Sequence, residues 1–321
     1  MHTRPGRIIA ANRSELSKRG NGMAERMVKA NGIELWTESF GDSTHPAILL
    51  VMGASAQGLG WPDELIEQLV SGGHYVIRYD HRDTGQSTCF DFQKNPYTMT
   101  DMAADAVGVL DAYGISTVHL VGASMGGMIS QIVSILHPER VRTLTLMMST
   151  PLRPTTMEAI QESFQGRTTA EAPLPPPAQR VIEVHLAAVS KPPITREDLI
   201  EFQMKMLRAL SGSAAPFEEQ PLRRRVERMV DRAHNFAASA NHGLVPSATR
   251  EQAEALKRLR VPTLVIHGKD DPILPSPHGV ALAETIPGAR LLMLEGLGHD
   301  FPRPLLGEMA RAILTHTGSR A

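Results

Sequence analysis

Apolar positions along this chain form short runs separated by amphipathic stretches. Residues 27–40 hold β-rich, partly alternating segments (Ile33, Leu35, Trp36) broken by Asn31-Gly32, which predicts a hairpin of two antiparallel strands. Residues 47–52 are apolar without interruption, the pattern of a strand covered on both faces. Residues 62–70 place Leu65, Ile66 and Leu69 on one side of a short helix. A strand over 75–79 follows, then a helix over 98–113 entered through Thr100 and Asp101. Next come a strand over 118–121, a helix over 129–136 and a strand over 141–148. This alternation predicts an α/β fold, a mostly parallel sheet with helices on both faces.

The rhythm changes after residue 150. Residues 151–250 show no buried-strand pattern. A proline-rich stretch, Pro173-Leu174-Pro175-Pro176-Pro177, precedes helix-like segments near 179–189, 196–210 and 221–240. Strand patterns resume at 263–267 and 290–294, and a helix over 304–316 closes the periodic sequence. Residues 1–22 are polar and basic, without a signal-peptide core, and periodicity begins only near Met23. The reading is a disordered N-terminal tail, with Met23 as a true start or a transit peptide as alternatives. The expected organisation is therefore a tail (1–22), a core in two parts (23–150 and 251–321) and a helical cap (151–250).

Composition narrows the function classes. A chain of 321 residues suffices for one large α/β domain with an insertion. The formal net charge of −1 gives no global field to recruit nucleic acid or an anionic membrane. No apolar run reaches the roughly 18–20 residues of a membrane span. No nucleic-acid partner and no stable membrane insertion are expected, and the location expected is cytoplasmic. Cys89 is the one cysteine, so neither an intrachain disulfide nor a thiolate metal cluster is possible, and no catalytic pattern surrounds it.

The chemistry gathers at Val118-His119-Leu120-Val121-Gly122-Ala123-Ser124-Met125-Gly126-Gly127-Met128. Gly122, Ser124 and Gly126 spell G-x-S-x-G between an apolar strand and an amphipathic helix. In a nucleophile elbow the serine sits on such a strained turn with its hydroxyl held above the sheet. The helix start behind it offers free N–H groups to an oxyanion. After the strand at 263–267 comes Gly268-Lys269-Asp270-Asp271-Pro272, at the strand end where an open α/β sheet keeps its ligand chemistry. Asp271 is preferred over Asp270 because Pro272 restricts its backbone to an extended conformation. The other acid position, after the 141–148 strand, holds Ser149-Thr150-Pro151 and no carboxylate. The last strand leads into Gly296-Leu297-Gly298-His299, which places an imidazole on a glycine-bracketed loop. Imidazole is suited to take and return a serine proton near neutrality, with a carboxylate holding its tautomer. His267 and His81 read as structural. The oxyanion donors expected are the backbone N–H groups of Met125 and Ala54, with Gly53 and Ser55 as neighbouring alternatives.

These residues carry a resemblance. The chain resembles the α/β-hydrolase superfamily over about residues 23–316. The evidence is Gly122-x-Ser124-x-Gly126, Gly268-x-x-Asp271-Pro272, Gly298-His299 and the Asp80-x-Arg82-x-x-Gly85-x-Ser87 turn. The segments Leu49-Leu50-Val51-Met52-Gly53, Gly60-Trp61-Pro62-Asp63 and Val76-Ile77-Arg78-Tyr79-Asp80-His81-Arg82-Asp83-Thr84-Gly85 look closer still to aclacinomycin methylesterase-like enzymes. Residues 121–129 are similar to mycobacterial lipase/esterase-type hydrolases. The resemblance implies the α/β-hydrolase fold, a Ser124–His299–Asp271 triad and a helical cap. Many members of the superfamily have His-Gly where this chain has Met52-Gly53, a change that leaves a backbone donor intact.

The activity implied is cleavage of a small-molecule carboxylic ester through an acyl-enzyme on Ser124, with no metal or organic cofactor. C–C bond hydrolases, lactonases and cofactor-free perhydrolases use the same triad, and a ligand-binding receptor of this fold can retain it. An aspartate-nucleophile enzyme is disfavoured by Ser124 itself. In the cap, Met157, Met204, Met206 and Met229 read as core more than as pocket lining. Arg223, Arg224, Arg225, Arg228 and Arg232 read as a solvated helix face more than as a site for an acidic substrate.

Overall fold

The computed structural model describes residues 23–167, 172–246 and 248–318, so the expected tail at 1–22 lies outside the described residues. Strands β1 (Met23–Ala30), β2 (Ile33–Phe40), β3 (Ala47–Val51), β4 (Tyr75–Tyr79), β5 (Val118–Ala123), β6 (Val141–Met147), β7 (Thr263–Gly268) and β8 (Arg290–Leu294) form one sheet. Their order is β1-β2-β4-β3-β5-β6-β7-β8. β1 and β2 form the predicted hairpin, turned by Asn31 (φ 48°) and Gly32 (φ 80°), the positive-φ pair that a two-residue turn requires. β2 meets β4 antiparallel, and the strands from β4 across to β8 run parallel.

Burial on both faces explains the uninterrupted apolar runs. In β3, Leu49 and Val51 pack into one cluster with α2 (Met99–Ala112) and α3 (Met125–Leu136). Ile48 and Leu50 pack into the other, with α1 (Asp63–Ser71) and α10 (Arg303–Thr317). α2 starts differently from expectation. Thr98, not Thr100, is its cap: the Thr98 hydroxyl accepts Asp101 N–H at 3.3 Å, and Asp101 Oδ2 accepts Thr98 N–H at 2.8 Å. Reciprocal satisfaction of two orphan donors sets that boundary.

Between β6 and β7 lie α4 (Pro154–Phe164), α5 (Gln179–Ser190), α6 (Arg196–Leu210), α7 (Glu219–Arg232), a 3₁₀ segment (Phe236–Leu244) and α8 (Arg250–Leu256), and between β7 and β8 lies α9 (Pro277–Thr285). α6 and α7 share a small apolar cluster of Ile200, Met204 and Val226, so Met204 is internal packing. The helix expected over 221–240 is two elements. It ends at Arg232, where Ala233 turns extended (φ −70°, ψ 133°) and His234 N–H donates to Gly85 O at 2.8 Å. A backbone bond to the core diverts the chain.

The arginine run is likewise not one solvated face. Arg223 pairs outward with Glu197, Glu201 and Glu227. Arg232 turns inward, where Nη1 donates to Asp80 Oδ2 and to Gln57 Oε1, each at 2.6 Å, and the guanidinium stacks 4.2 Å from the Trp36 ring centroid. The Asp80 side chain is 0% exposed and that of Arg232 15%. Burial pushes the Asp80 carboxyl up from its ordinary value, and the Arg232 charge opposes that rise. Removing one partner leaves a desolvated charge. Arg232→Met is therefore expected to lower stability by about 3 kcal/mol, read as the midpoint shift in urea. An unchanged midpoint would contradict this account of how the insertion is anchored.

Candidate active site

β5 feeds directly into α3 through Ser124, whose backbone lies at φ 54°, ψ −123°. That conformation is costly for a residue with a side chain and persists only where its surroundings impose it. Four hydrogen bonds do so. Ser124 N–H donates to Met147 O at 2.9 Å, while Ser124 O accepts from Gly127 N–H at 2.9 Å, from Met128 N–H at 3.3 Å and from Ser149 Oγ at 2.8 Å. The flanking glycines are sterically required. A Cβ on Gly122 would stand 2.3 Å from Gly126 O, and one on Gly126 would stand 2.1 Å from Val51 O. Strand β3, strand β5 and the start of α3 can approach this closely only without those side chains.

Asp271 follows β7 and His299 follows β8, on the same end of the parallel strands as Ser124. His299 Nδ1 lies 2.8 Å from Asp271 Oδ2, with the side chains 10% and 0% exposed. Asp271 Oδ1 accepts Ile273 N–H at 2.9 Å and Leu274 N–H at 2.8 Å, which fixes the carboxylate plane. Asp270 points elsewhere, accepting Ser213 N–H at 3.1 Å. His267 Nε2 lies 3.8 Å from Asp271 Oδ2 and donates to Leu274 O at 2.7 Å.

The electrostatics of the pair agree in sign. Burial alone would raise the Asp271 pKa, but the charge and hydrogen bond of His299 outweigh it and hold the carboxyl below its ordinary value. Burial alone would lower the His299 pKa, but the Asp271 carboxylate outweighs it and the imidazole is raised above 6.5.

Ser124 Oγ makes no hydrogen bond among the described residues, so the structure joins His299 to Asp271 but does not link the serine hydroxyl to the ring. Such contacts commonly tighten only when substrate is bound. The amides of Met125, Gly53 and Ala54 are also without hydrogen-bond partners among the described residues. The Ser55 amide is already engaged, donating to His242 Nδ1 at 2.9 Å, which removes it as an oxyanion donor. A Cβ on Gly53 would stand 3.1 Å from Ser124 Cβ, so glycine keeps the space in front of Ser124 open.

Other groups are accounted for structurally. Cys89 is half-buried and burial raises its thiol pKa, the opposite of an activated thiolate. His278 bridges Thr150 Oγ1 and Pro175 O, each at 2.9 Å, tying the proline-rich stretch to the core. Among the described residues no group of three or more His, Cys, Asp or Glu side chains is arranged to hold a metal ion. No described helix is long and apolar enough to cross a membrane. His242 carries no local sequence signal, since its partners Ser55 and Arg82 lie far away in the chain.

The sequence model for the alpha/beta hydrolase fold matches residues 46–302. Rhodomycin D methylesterase DauP of Streptomyces sp. (strain C5) is 35% identical over 295 residues, covering 92% of this chain and 98% of that protein. Rhodomycin D methylesterase DnrP of Streptomyces peucetius is 36% identical with the same coverage, 92% and 98%. Among solved structures, the esterase RhEst1 from Rhodococcus sp. ECU1013 superposes with a TM-score of 0.71 at 19% identity, covering 93% of this chain and 99% of that one, a likeness of fold. The chain belongs to the α/β-hydrolase family.

Proposed function

We propose that this chain is a carboxylic ester hydrolase that works through an acyl-enzyme on Ser124, and that its substrates include methyl esters. The observation that carries the reading is the His299–Asp271 hydrogen bond of 2.8 Å on the strand ends that also present a backbone-constrained Ser124. The identity of 35% to a methylesterase over most of both chains supports the choice of ester. His299 Nε2 takes the Ser124 hydroxyl proton as Oγ attacks the ester carbonyl. The carbonyl oxygen becomes an oxyanion, held by the Met125 and Ala54 N–H groups. His299 returns the proton to the leaving alcohol, then removes one from water to release the acid and free Ser124. Asp271 keeps the ring in the Nδ1–H tautomer and stabilises the imidazolium. The helices between β6 and β7 act as the cap over this site.

The direct test is hydrolysis of p-nitrophenyl esters from acetate to decanoate, with methyl esters followed by acid release. Turnover across part of the series is the expected result. A folded protein with no turnover on either group would overturn the esterase reading.

A further inference from the structure

We infer that His242 and His81 are positioning residues that together clamp the loop Met52-Gly53-Ala54-Ser55, and so aim the Ala54 N–H at the reaction's oxyanion. This rests on the esterase reading of the site.

The clamp is built from both ends of the loop. His81 Nε2 lies 2.8 Å from Met52 O, which fixes the Met52–Gly53 peptide plane. His242 Nδ1 lies 2.9 Å from Ser55 N, which fixes the Ala54–Ser55 peptide plane. Between these two planes lies one peptide, Gly53–Ala54, whose N–H has no partner among the described residues. Its carbonyl, Gly53 O, accepts Ala56 N–H at 3.4 Å, and the clamped planes on either side set the rest of its direction. Ser55 sits at φ 59°, a conformation a serine adopts only under constraint, and its hydroxyl donates to Ser239 O at 2.7 Å. The loop is therefore held from the 3₁₀ segment, 184 and more residues away in the chain.

The hydrogen bonds also assign the protons. A backbone amide can only donate, so His242 Nδ1 must be the acceptor. His242 Nε2 lies 2.9 Å from Arg82 O, a carbonyl that can only accept, so Nε2 carries the hydrogen. The ring is thus a neutral Nε2–H tautomer with both nitrogens engaged. A proton on Nδ1 would set two donors against each other. Burial keeps both rings neutral, pushing His81 down to about 3 and lowering His242 against the opposing pull of its bond to Arg82 O and of the Asp83 charge. The rings meet edge to face, with centroids 5.9 Å apart and planes at 82°. Each anchor is itself anchored. The Arg82 guanidinium makes two bonds of 2.7 Å to Asp105, and Asn241 Nδ2 donates to Asp83 Oδ2 and Phe90 O, each at 3.0 Å.

The test compares wild type, Ser124→Ala, His242→Ala and His242→Gln by steady-state kinetics. Active sites are counted with a fluorophosphonate that labels the nucleophilic serine, and affinity for a trifluoromethyl ketone, which forms a tetrahedral adduct, is measured in parallel. His242→Ala is expected to lower kcat per labelled site by about 10–100-fold with KM nearly unchanged, the scale of a misplaced oxyanion donor. Ketone affinity should fall with kcat/KM. His242→Gln offers a neutral acceptor and donor on one side chain and should restore most of the loss. Wild-type kcat per labelled site in His242→Ala overturns the inference. So does an equal loss in both variants explained by fewer labelled sites and a lower melting temperature, which is the pattern of a purely structural residue. Turnover that survives Ser124→Ala sinks the esterase reading, and the clamp with it. An inactive Ser124→Ala beside a fully active His242→Ala sinks the clamp alone.

Discussion

Ser124→Ala is expected to lower ester turnover by about 10⁴–10⁶-fold while substrate affinity stays near wild type. The variant removes one oxygen and keeps Cβ. The strained backbone at φ 54° and the four hydrogen bonds that impose it should survive, because none of them uses Ser124 Oγ. What disappears is the oxygen proposed to form the acyl bond. The proposed oxyanion donors at Met125 and Ala54 remain, so a small residual rate over water is expected. Mass spectrometry after fluorophosphonate treatment should show one adduct on wild type and none on the variant. A companion substitution separates chemistry from strain. Ser124→Gly is equally inactive but relieves a positive-φ cost of about 1–3 kcal/mol, partly offset by the extra freedom of glycine in the unfolded chain. Ser124→Gly should therefore melt higher than Ser124→Ala. Comparable activity in either variant and wild type would mean that the nucleophile is elsewhere.

What the sequence revealed and what it hid follow from the range of the interactions involved. Gly122-x-Ser124-x-Gly126 is legible because its cause is local: two missing Cβ atoms allow the close approaches seen at Gly126 O and Val51 O. The parallel strands are legible because burial on both faces leaves an apolar run such as residues 47–51, and the strand ends then mark where Asp271 and His299 fall. The cap of α2 is not legible to the residue because Thr98 and Thr100 are chemically alike, and only the reciprocal bond with Asp101 separates them. The inward turn of Arg232 is hidden for a related reason. Helical periodicity places a side chain on a face, but its partner Asp80 is 152 residues away. The contact between Ser55 and His242 spans 187 residues and leaves no pattern in either segment. Local sterics and period are written along the chain, whereas long-range polar pairing requires the folded arrangement.

Asp271→Asn is expected to cost about 10⁴-fold in kcat, more than the loss of a charge alone would suggest. The reason lies in the two backbone donors. Ile273 N–H and Leu274 N–H both point at Oδ1, at 2.9 and 2.8 Å, and in the variant they select the amide oxygen for that position. The amide nitrogen must then face His299 Nδ1 in place of Oδ2, which lies 2.8 Å from it in the native pair. An amide N–H can only donate, so His299 Nδ1 becomes an acceptor and the ring's hydrogen moves to Nε2. In the proposed mechanism that nitrogen accepts the Ser124 proton, so the substitution installs the unproductive tautomer. The pH profile should move as well. In the native site the Asp271 carboxylate holds the His299 pKa above 6.5 against burial, and the ring is a base only when neutral. The acid limb of kcat/KM should therefore fall as pH drops through a value above 6.5 in wild type, and move to lower pH in the variant. Asp271→Ala removes the carboxylate without supplying a competing donor, leaves both tautomers accessible and should retain more activity than Asp271→Asn. The reverse ranking, or an acid limb that stays in place, would show that Asp271 does not set the state of His299.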